Sequence, residues 1–238
     1  MIHPLNTFFD HIFCINLVES KERRQSAYDR FAKLGLDVEF FNATRYGFNK
    51  YMYDLFYNNK YQGHDFGNPN EINCSISHYS CIRIAKERGY KNVLILEDDV
   101  VFIKNFNDII QDYLNLIPSN YDMVYLYSGL WKWSHQHRWI HSAENKIFTT
   151  FDVTGCIAYG IKNTMYDAYL EGMDECFQIA DNYCSKLQKT FKYNIYSLVP
   201  NLCAQPANRS TINPNKDAII NVFPFMKSFM GKGPDDYE

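Results

Sequence analysis

Residues 92–102 read NVLILEDDVVF, and this stretch constrains the fold more than any other part of the chain. The apolar residues Val93–Leu96 run without interruption into Glu97, Asp98 and Asp99. An apolar run without alternation suits a strand covered on both faces, as in a parallel sheet flanked by helices. Such a strand surfaces at its C-terminal end, the edge where open α/β sheets bind their ligands. Adjacent carboxylates repel one another and raise each other's pKa unless a cation lies among them. Alternation along the strand sends Glu97 and Asp99 to one side and Asp98 to the other, so the first two can converge on one ion. Hard oxygen donors suit Mg²⁺ or Mn²⁺, and substrate phosphates often complete their shells. From the triplet alone, an acidic turn that caps the next segment or pairs with an arginine is an equal alternative. An aspartyl-phosphate phosphatase also follows an apolar strand with D-x-D, but its first carboxylate must be the nucleophilic Asp. Glu97 holds that position here with a longer arm, which argues against that chemistry.

The rest of the chain alternates strand and helix signals. HIFCINL (11–17) reads as a strand, SKERRQSAYDRFAKLGL as a helix capped by Ser20 and stopped by Gly35, and DVEFFNAT (37–44) as a second strand. Segment 45–70 has weak periodicity and reads as an irregular excursion. Residues 70–90 form a helix ended by Gly89, and a further helix near 105–117 ends at Pro118. Later strands fall at 121–129, within 148–161 and at 193–199, with helices near 163–172 and 177–190. This order predicts an α/β protein with a parallel first half and a mixed second half.

Residues 1–212 read as one domain, and 213–238 as an appendage whose VFPFMKSFM packs on the body or a partner. The last acidic residues are expected to fray. A net charge of −3 shows no basic bias and so does not favour a nucleic-acid partner, and no apolar run is long enough to span a bilayer. The opening MIHPLNTFFDHIFCINL lacks a basic flank and a cleavage site and reads as leading into the first strand, which points to a cytoplasmic location. Seven scattered cysteines, odd in number, suit reduced buried thiols. Cys74, His78 and Cys81 share one helix face and invite a zinc reading. Three ligands from one uninterrupted helix seldom complete a tetrahedron, so packed cysteines are expected instead. Trp131, Trp133 and Trp139 either stack on sugar faces or anchor a hairpin.

Three blocks taken together carry a resemblance: CINLVESKERR (14–24), EINCSISHYSCIRIAKERGYKNVLILEDDVVF (71–102), and MVYLYSG through TGCIAYGI to QIAD (123–181). In this order and spacing the chain resembles glycosyltransferase family 25, over roughly residues 10–212. The resemblance implies a GT-A-like fold, in which a Rossmann-type nucleotide-binding sheet joins a mixed acceptor-binding half. It implies transfer of a hexose, galactose or glucose, from a UDP-sugar to a hydroxyl of a glycan or glycosylated protein, with inversion and with Mn²⁺ or Mg²⁺. An inactive UDP-sugar- or glycan-binding protein of the same fold is the alternative, and a donor hydrolase a third. Self-association into a homo-oligomer is compatible with all three.

Carried over by position, Glu97 and Asp99 would hold the metal. Asn16, Arg23 or Arg24, Ser77, His78 and Asp98 would lie around the donor nucleotide. An arginine fork suits a diphosphate. His78 either orients a loop or the donor, or serves structure alone. Asp181 is the candidate base, with Asp152 in reserve, although Asp181 equally suits the N-cap of the next helix. No His follows His141, so a late histidine ligand has no equivalent.

Overall fold

Two apolar runs set the centre of the sheet. HIFCINL forms β1 (His11–Leu17) and NVLILE forms β3 (Asn92–Glu97), each buried along its middle residues. They pair in parallel, and β2 (Glu39–Ala43) lies parallel on the other side of β1. The computed structural model describes residues 2–43, 69–130, 133–140, 145–175, 177–206 and 236–238. The excursion expected at 45–70, Trp131, and the VFPFMKSFM of the appendage fall outside those residues, apart from Pro69 and Asn70.

Parallel neighbours require crossovers, and helices supply them. α2 (Lys21–Leu34) joins β1 to β2 and turns Ala27 and Phe31 inward. Gly35, at φ 75°, ends it in the left-handed conformation that glycine adopts without strain. Ser20 precedes α2 as expected, but its side chain makes no capping hydrogen bond. Its carbonyl instead accepts from the Arg24 N–H at 3.0 Å. α3 (Pro69–Glu87) leads into β3.

In the second half, β8 (Ala158–Lys162) lies antiparallel between β3 and β5 (Met123–Tyr125). β9 (Ile195–Leu198) runs parallel to β5, while β7 (Ile147–Thr149) and β6 (Arg138–Trp139) finish the edge antiparallel. The sheet order is β2-β1-β3-β8-β5-β9-β7-β6. A parallel Rossmann-type half thus joins a mixed half, the α/β class expected. A small ladder of β4 (Val101–Phe102) with β10 (Cys203–Ala204) was not foreseen, because two residues per strand carry no readable period.

The sheet is covered on both faces. Val93 and Ile95 of β3 pack with Ile82 of α3, Tyr169 of α5 (Tyr166–Glu175) and Cys184 of α6 (Ala180–Lys189). Leu94 and Leu96 pack on the opposite side with Leu5 of α1 (Pro4–Phe8), Phe31 of α2 and Ile110 of α4 (Phe106–Leu116). This two-residue alternation places Glu97 on the α3 side.

Two expectations are corrected at the termini. Residues 4–8 do not simply enter β1; Pro4 starts the short helix α1, which packs beside α4. Asp236 and Glu238 do not fray. Phe102 and Glu238 exchange both backbone hydrogen bonds, at 3.0 and 2.9 Å, and Lys104 N–H donates to the Asp236 carbonyl at 2.8 Å. The Tyr237 hydroxyl donates to the Asn201 carbonyl at 2.8 Å, and its ring joins the second core. Tyr237→Ala is expected to destabilise the protein by about 2 kcal/mol through lost ring packing and the lost hydrogen bond to the Asn201 carbonyl, measured by urea unfolding.

Candidate active site

β3 stops at Glu97, and the Val100 N–H bonds the Glu97 carbonyl at 3.2 Å to close a turn over Asp98 and Asp99. Strand alternation therefore ends two residues earlier than the expectation required. Glu97 alone keeps the parity of the strand, and the two aspartates are oriented by the turn. Asp98 accepts from Asn16 Nδ2 at 2.7 Å and from the Arg23 guanidinium. Arg23 reaches Asp99 Oδ2 as well, at 3.1 Å. Arg30 donates to the Asp98 carbonyl at 2.6 Å, and Gln205 Nε2 donates to Asp99 Oδ2 at 3.0 Å. Sequence reading missed both Arg30 and Gln205; they meet the turn across 68 and 106 positions, which no local pattern reveals.

Arg23 and Arg24, left undecided by sequence, are now separated. Arg24 bonds Asn42 Oδ1 at 2.8 Å and lies over the Phe40 ring at 4.5 Å, so it belongs to the β2 side. Arg23 belongs to the acidic turn.

Asp99 is 2% exposed. Burial, and next the charge of Glu97, push its carboxyl up to about 6, although Arg23 pulls in the opposite direction. Desolvation prevails because an arginine on one oxygen does not replace the water lost from both. Asp99 Oδ1 is buried with no hydrogen-bond partner among the described residues, and so is Asn16 Oδ1. Buried oxygens left this way are costly.

Asp181 reaches the same end of the sheet from α6. It does not cap that helix; Ile179 holds the N-cap position, and Asp181 Oδ1 accepts from the Cys156 N–H at 2.8 Å. The loop that presents Cys156 depends on Gly155, at φ 98°, where a Cβ would lie 2.5 Å from the Tyr127 ring. Burial, then the charges of Asp181 and Asp99, push the Tyr127 hydroxyl upward. Burial, then Glu97, Asp181 and Asp99, push the Cys74 thiol upward. The charges of Asp181 and Asp99 are thus felt by both Tyr127 and Cys74, and that of Glu97 by Cys74 as well. Asp152 Oδ1 accepts from Ser185 Oγ at 2.7 Å and pairs with Lys189 Nζ at 2.6 Å, both on α6.

On α3, the Ser77 hydroxyl donates to the Asn73 carbonyl at 2.8 Å, one turn back along its own helix. His78 is fully buried; Nδ1 lies 3.1 Å from the Tyr159 hydroxyl and Nε2 lies 3.5 Å from Glu97 Oε1. Cys81 packs in the core, as expected. Trp133 and Trp139 stack at 5.0 Å and both pack on Phe148, which favours the hairpin anchor for these two. The described cysteines are all free.

Residues 9–193 match the family model described as "Glycosyltransferase family 25 (LPS biosynthesis protein)". The chain belongs to glycosyltransferase family 25. Its relatives include a "Glycosyltransferase 25 family member" of Drosophila pseudoobscura pseudoobscura, 36% identical over 126 residues, covering 49% of this chain and 20% of the relative. One from Aedes aegypti is 35% identical over 100 residues, covering 39% and 16%. A "Procollagen lysyl hydroxylase and glycosyltransferase" of Acanthamoeba polyphaga mimivirus is 36% identical over 64 residues, covering 24% and 7%. The matched regions thus span a fifth or less of the curated relatives. Among solved structures, a glycosyltransferase involved in glycosylation of the major capsid of PBCV-1 aligns at 10% identity and a TM-score of 0.38, covering 77% of this chain and 70% of that one.

Family 25 membership and the acidic turn raise the question of a divalent cation. The donor set at the turn is hard oxygen, and the partnerless Asp99 Oδ1 is an oxygen that a cation would satisfy. Asp99 Oδ1 fits such an ion as one ligand, while Arg23 and Gln205 engage the other oxygen of the same carboxylate. Without an ion, the raised Asp99 carboxyl binds its proton more tightly in the folded chain than in the unfolded chain. Its contribution to stability is therefore full below the ordinary carboxylate range and lost as pH rises through about 6. In chelator, Asp99→Asn is expected to raise the Tm by several degrees at pH 8 and to change it little at pH 4.5. A lower Tm for the variant at pH 8 would show that Arg23, rather than burial, governs this carboxylate.

Proposed function

We propose that the chain transfers a hexose, galactose or glucose, from a UDP-sugar to a hydroxyl of a glycan or glycosylated protein, with inversion. The observation that carries the reading is the buried acidic turn after β3, where Asp99 Oδ1 has no hydrogen-bond partner among the described residues and Arg23 stands beside the carboxylates. Family 25 membership supports the same class of chemistry.

Asp99 and Glu97 would hold Mn²⁺ or Mg²⁺, which when bound offsets the negative charge that builds on a departing diphosphate. Asn16, Arg23 and Arg30 fix the turn so that these carboxylates are oriented before the donor arrives. The Arg23 guanidinium, 23% exposed, is also the cation best placed to meet a phosphate oxygen beside the turn. Asp181 acts as the base. Its carboxylate is steadied through one oxygen by the Cys156 N–H and takes the proton from the acceptor hydroxyl as that oxygen attacks the anomeric carbon. Attack from the side opposite the leaving group inverts the centre. Asp152 is not needed, since Lys189 and Ser185 already engage it.

The test is a UDP-release screen across nucleotide sugars, with and without Mn²⁺ and an acceptor. Asp99→Ala is expected to lower Mn²⁺-dependent turnover at least 100-fold, a loss of ~3 kcal/mol of transition-state stabilisation. Asp181→Asn is expected to lower kcat by about 100-fold or more while leaving UDP binding unchanged in a thermal-shift assay. Full turnover in Asp99→Ala would remove the cation from the reading, and full turnover in Asp181→Asn would remove the base. UDP binding without release under any condition would make the chain a binding protein.

A further inference from the structure

We propose that Cys74, His78 and Glu97 form a binding site for a zinc-type transition-metal dication, one that shares Glu97 with the hard-cation site proposed at Asp99. One ligand atom from each of these residues lies within 4.8 Å of the others. Two come from α3, where positions 74 and 78 are one turn apart and face the same way. The third comes from the end of β3, whose alternation turns Glu97 toward α3. The objection to three ligands from a single helix therefore does not apply to this set.

A second observation points to an occupant. His78 has no solvent exposure, and its Nε2 has no hydrogen-bond partner among the described residues. That nitrogen faces Glu97 Oε1 at 3.5 Å, too far for a good hydrogen bond. Zn–N and Zn–O bonds of about 2.0–2.2 Å in a tetrahedron set the two ligand atoms about 3.4 Å apart, which is close to the spacing found. The other ring nitrogen, Nδ1, is fixed by the Tyr159 hydroxyl at 3.1 Å. In the tautomer that donates from Nδ1 to that oxygen, the Nε2 lone pair points toward Glu97. An outer hydrogen bond of this kind commonly orients a ligating histidine.

Thiolate and imidazole select zinc, cobalt or copper over magnesium and manganese. Three protein ligands leave a fourth position for water. The inference rests on the geometry around Glu97 and not on the transferase reading, although both use that carboxylate.

Cobalt is the probe for the test, because a Co²⁺–thiolate bond gives a charge-transfer band in the near ultraviolet and four-coordination gives intense visible bands. The full chain, stripped with chelator, is expected to develop both on addition of one equivalent of Co²⁺. Cys74→Ser, with its fold checked by far-ultraviolet circular dichroism, is expected to lose the charge-transfer band. X-ray absorption of the zinc-loaded wild-type chain is expected to show one sulfur neighbour at about 2.3 Å, a readout that requires no variant. No charge-transfer band, a band surviving in Cys74→Ser, or no sulfur neighbour in the wild type each overturns the proposal. UDP release is measured separately: a sulfur-bound ion without turnover sinks the transferase reading alone, and turnover without a sulfur neighbour sinks the metal site alone.

Discussion

A carboxylate with almost no solvent exposure, one of whose oxygens has no hydrogen-bond donor among the described residues, is held against its own preference, and the geometry of the acidic turn follows from keeping Asp99 there. Left to itself, such a group takes up a proton or swings outward. Here it takes up a proton more readily than an ordinary carboxylate but is kept from swinging outward. Arg23 pins it from α2, Gln205 pins it from beyond β10, and the turn that carries it is fixed by Asn16 on Asp98 and by Arg30 on the backbone carbonyl. Four polar side chains from three separate parts of the chain are thus spent on one four-residue turn. An acidic cap alone would not require that support. The arrangement suits a site whose charge is balanced only when a ligand is present, at the expense of stability in the empty state.

The sheet explains why the charges collect where they do. β3 lies between β1 and β8 with helices on both faces, so its side chains are sealed from solvent until the strand ends. The first positions free to be polar are therefore at its C-terminal edge. The β8 and β5 neighbours bring Gly155, Cys156 and Tyr127 to the same edge, and the Cys156 N–H draws Asp181 in from α6. Close packing of Gly155 on the Tyr127 ring sets the position of that N–H, so a side chain at 155 would move the carboxylate without touching it.

How much of this was legible in the sequence depends on the range of each interaction. The long apolar runs gave β1 and β3 within a residue, and Gly35 and Gly89 marked the ends of the helices before β2 and β3. The acidic triplet could be assigned to a strand edge. Its internal geometry could not, because alternation was carried two residues past the end of the strand. Adjacent Arg23 and Arg24 look equivalent on paper and are separated only by the Phe40 ring under one and the aspartates beside the other. Arg30, Gln205 and the Glu97–His78 approach depend on contacts across tens of residues. β4, β10 and the docking of 236–238 are too short for any periodic signal.

Glu97 links the two faces of the site. Its strand parity commits it to α3, where a buried imidazole and a thiol await it, yet its charge is the second-largest influence on Asp99. One carboxylate cannot have full charge density toward both sides at once. Neutralising it from α3 would lessen its repulsion of Asp99, bring that carboxyl down, and free it to bind a hard cation at lower pH. Withdrawing that neutralisation would do the reverse. Coupling of this kind needs no movement of the backbone, only a change in which atoms share the charge of Glu97, and in a site this dry Coulombic effects over a few ångströms are weakly screened.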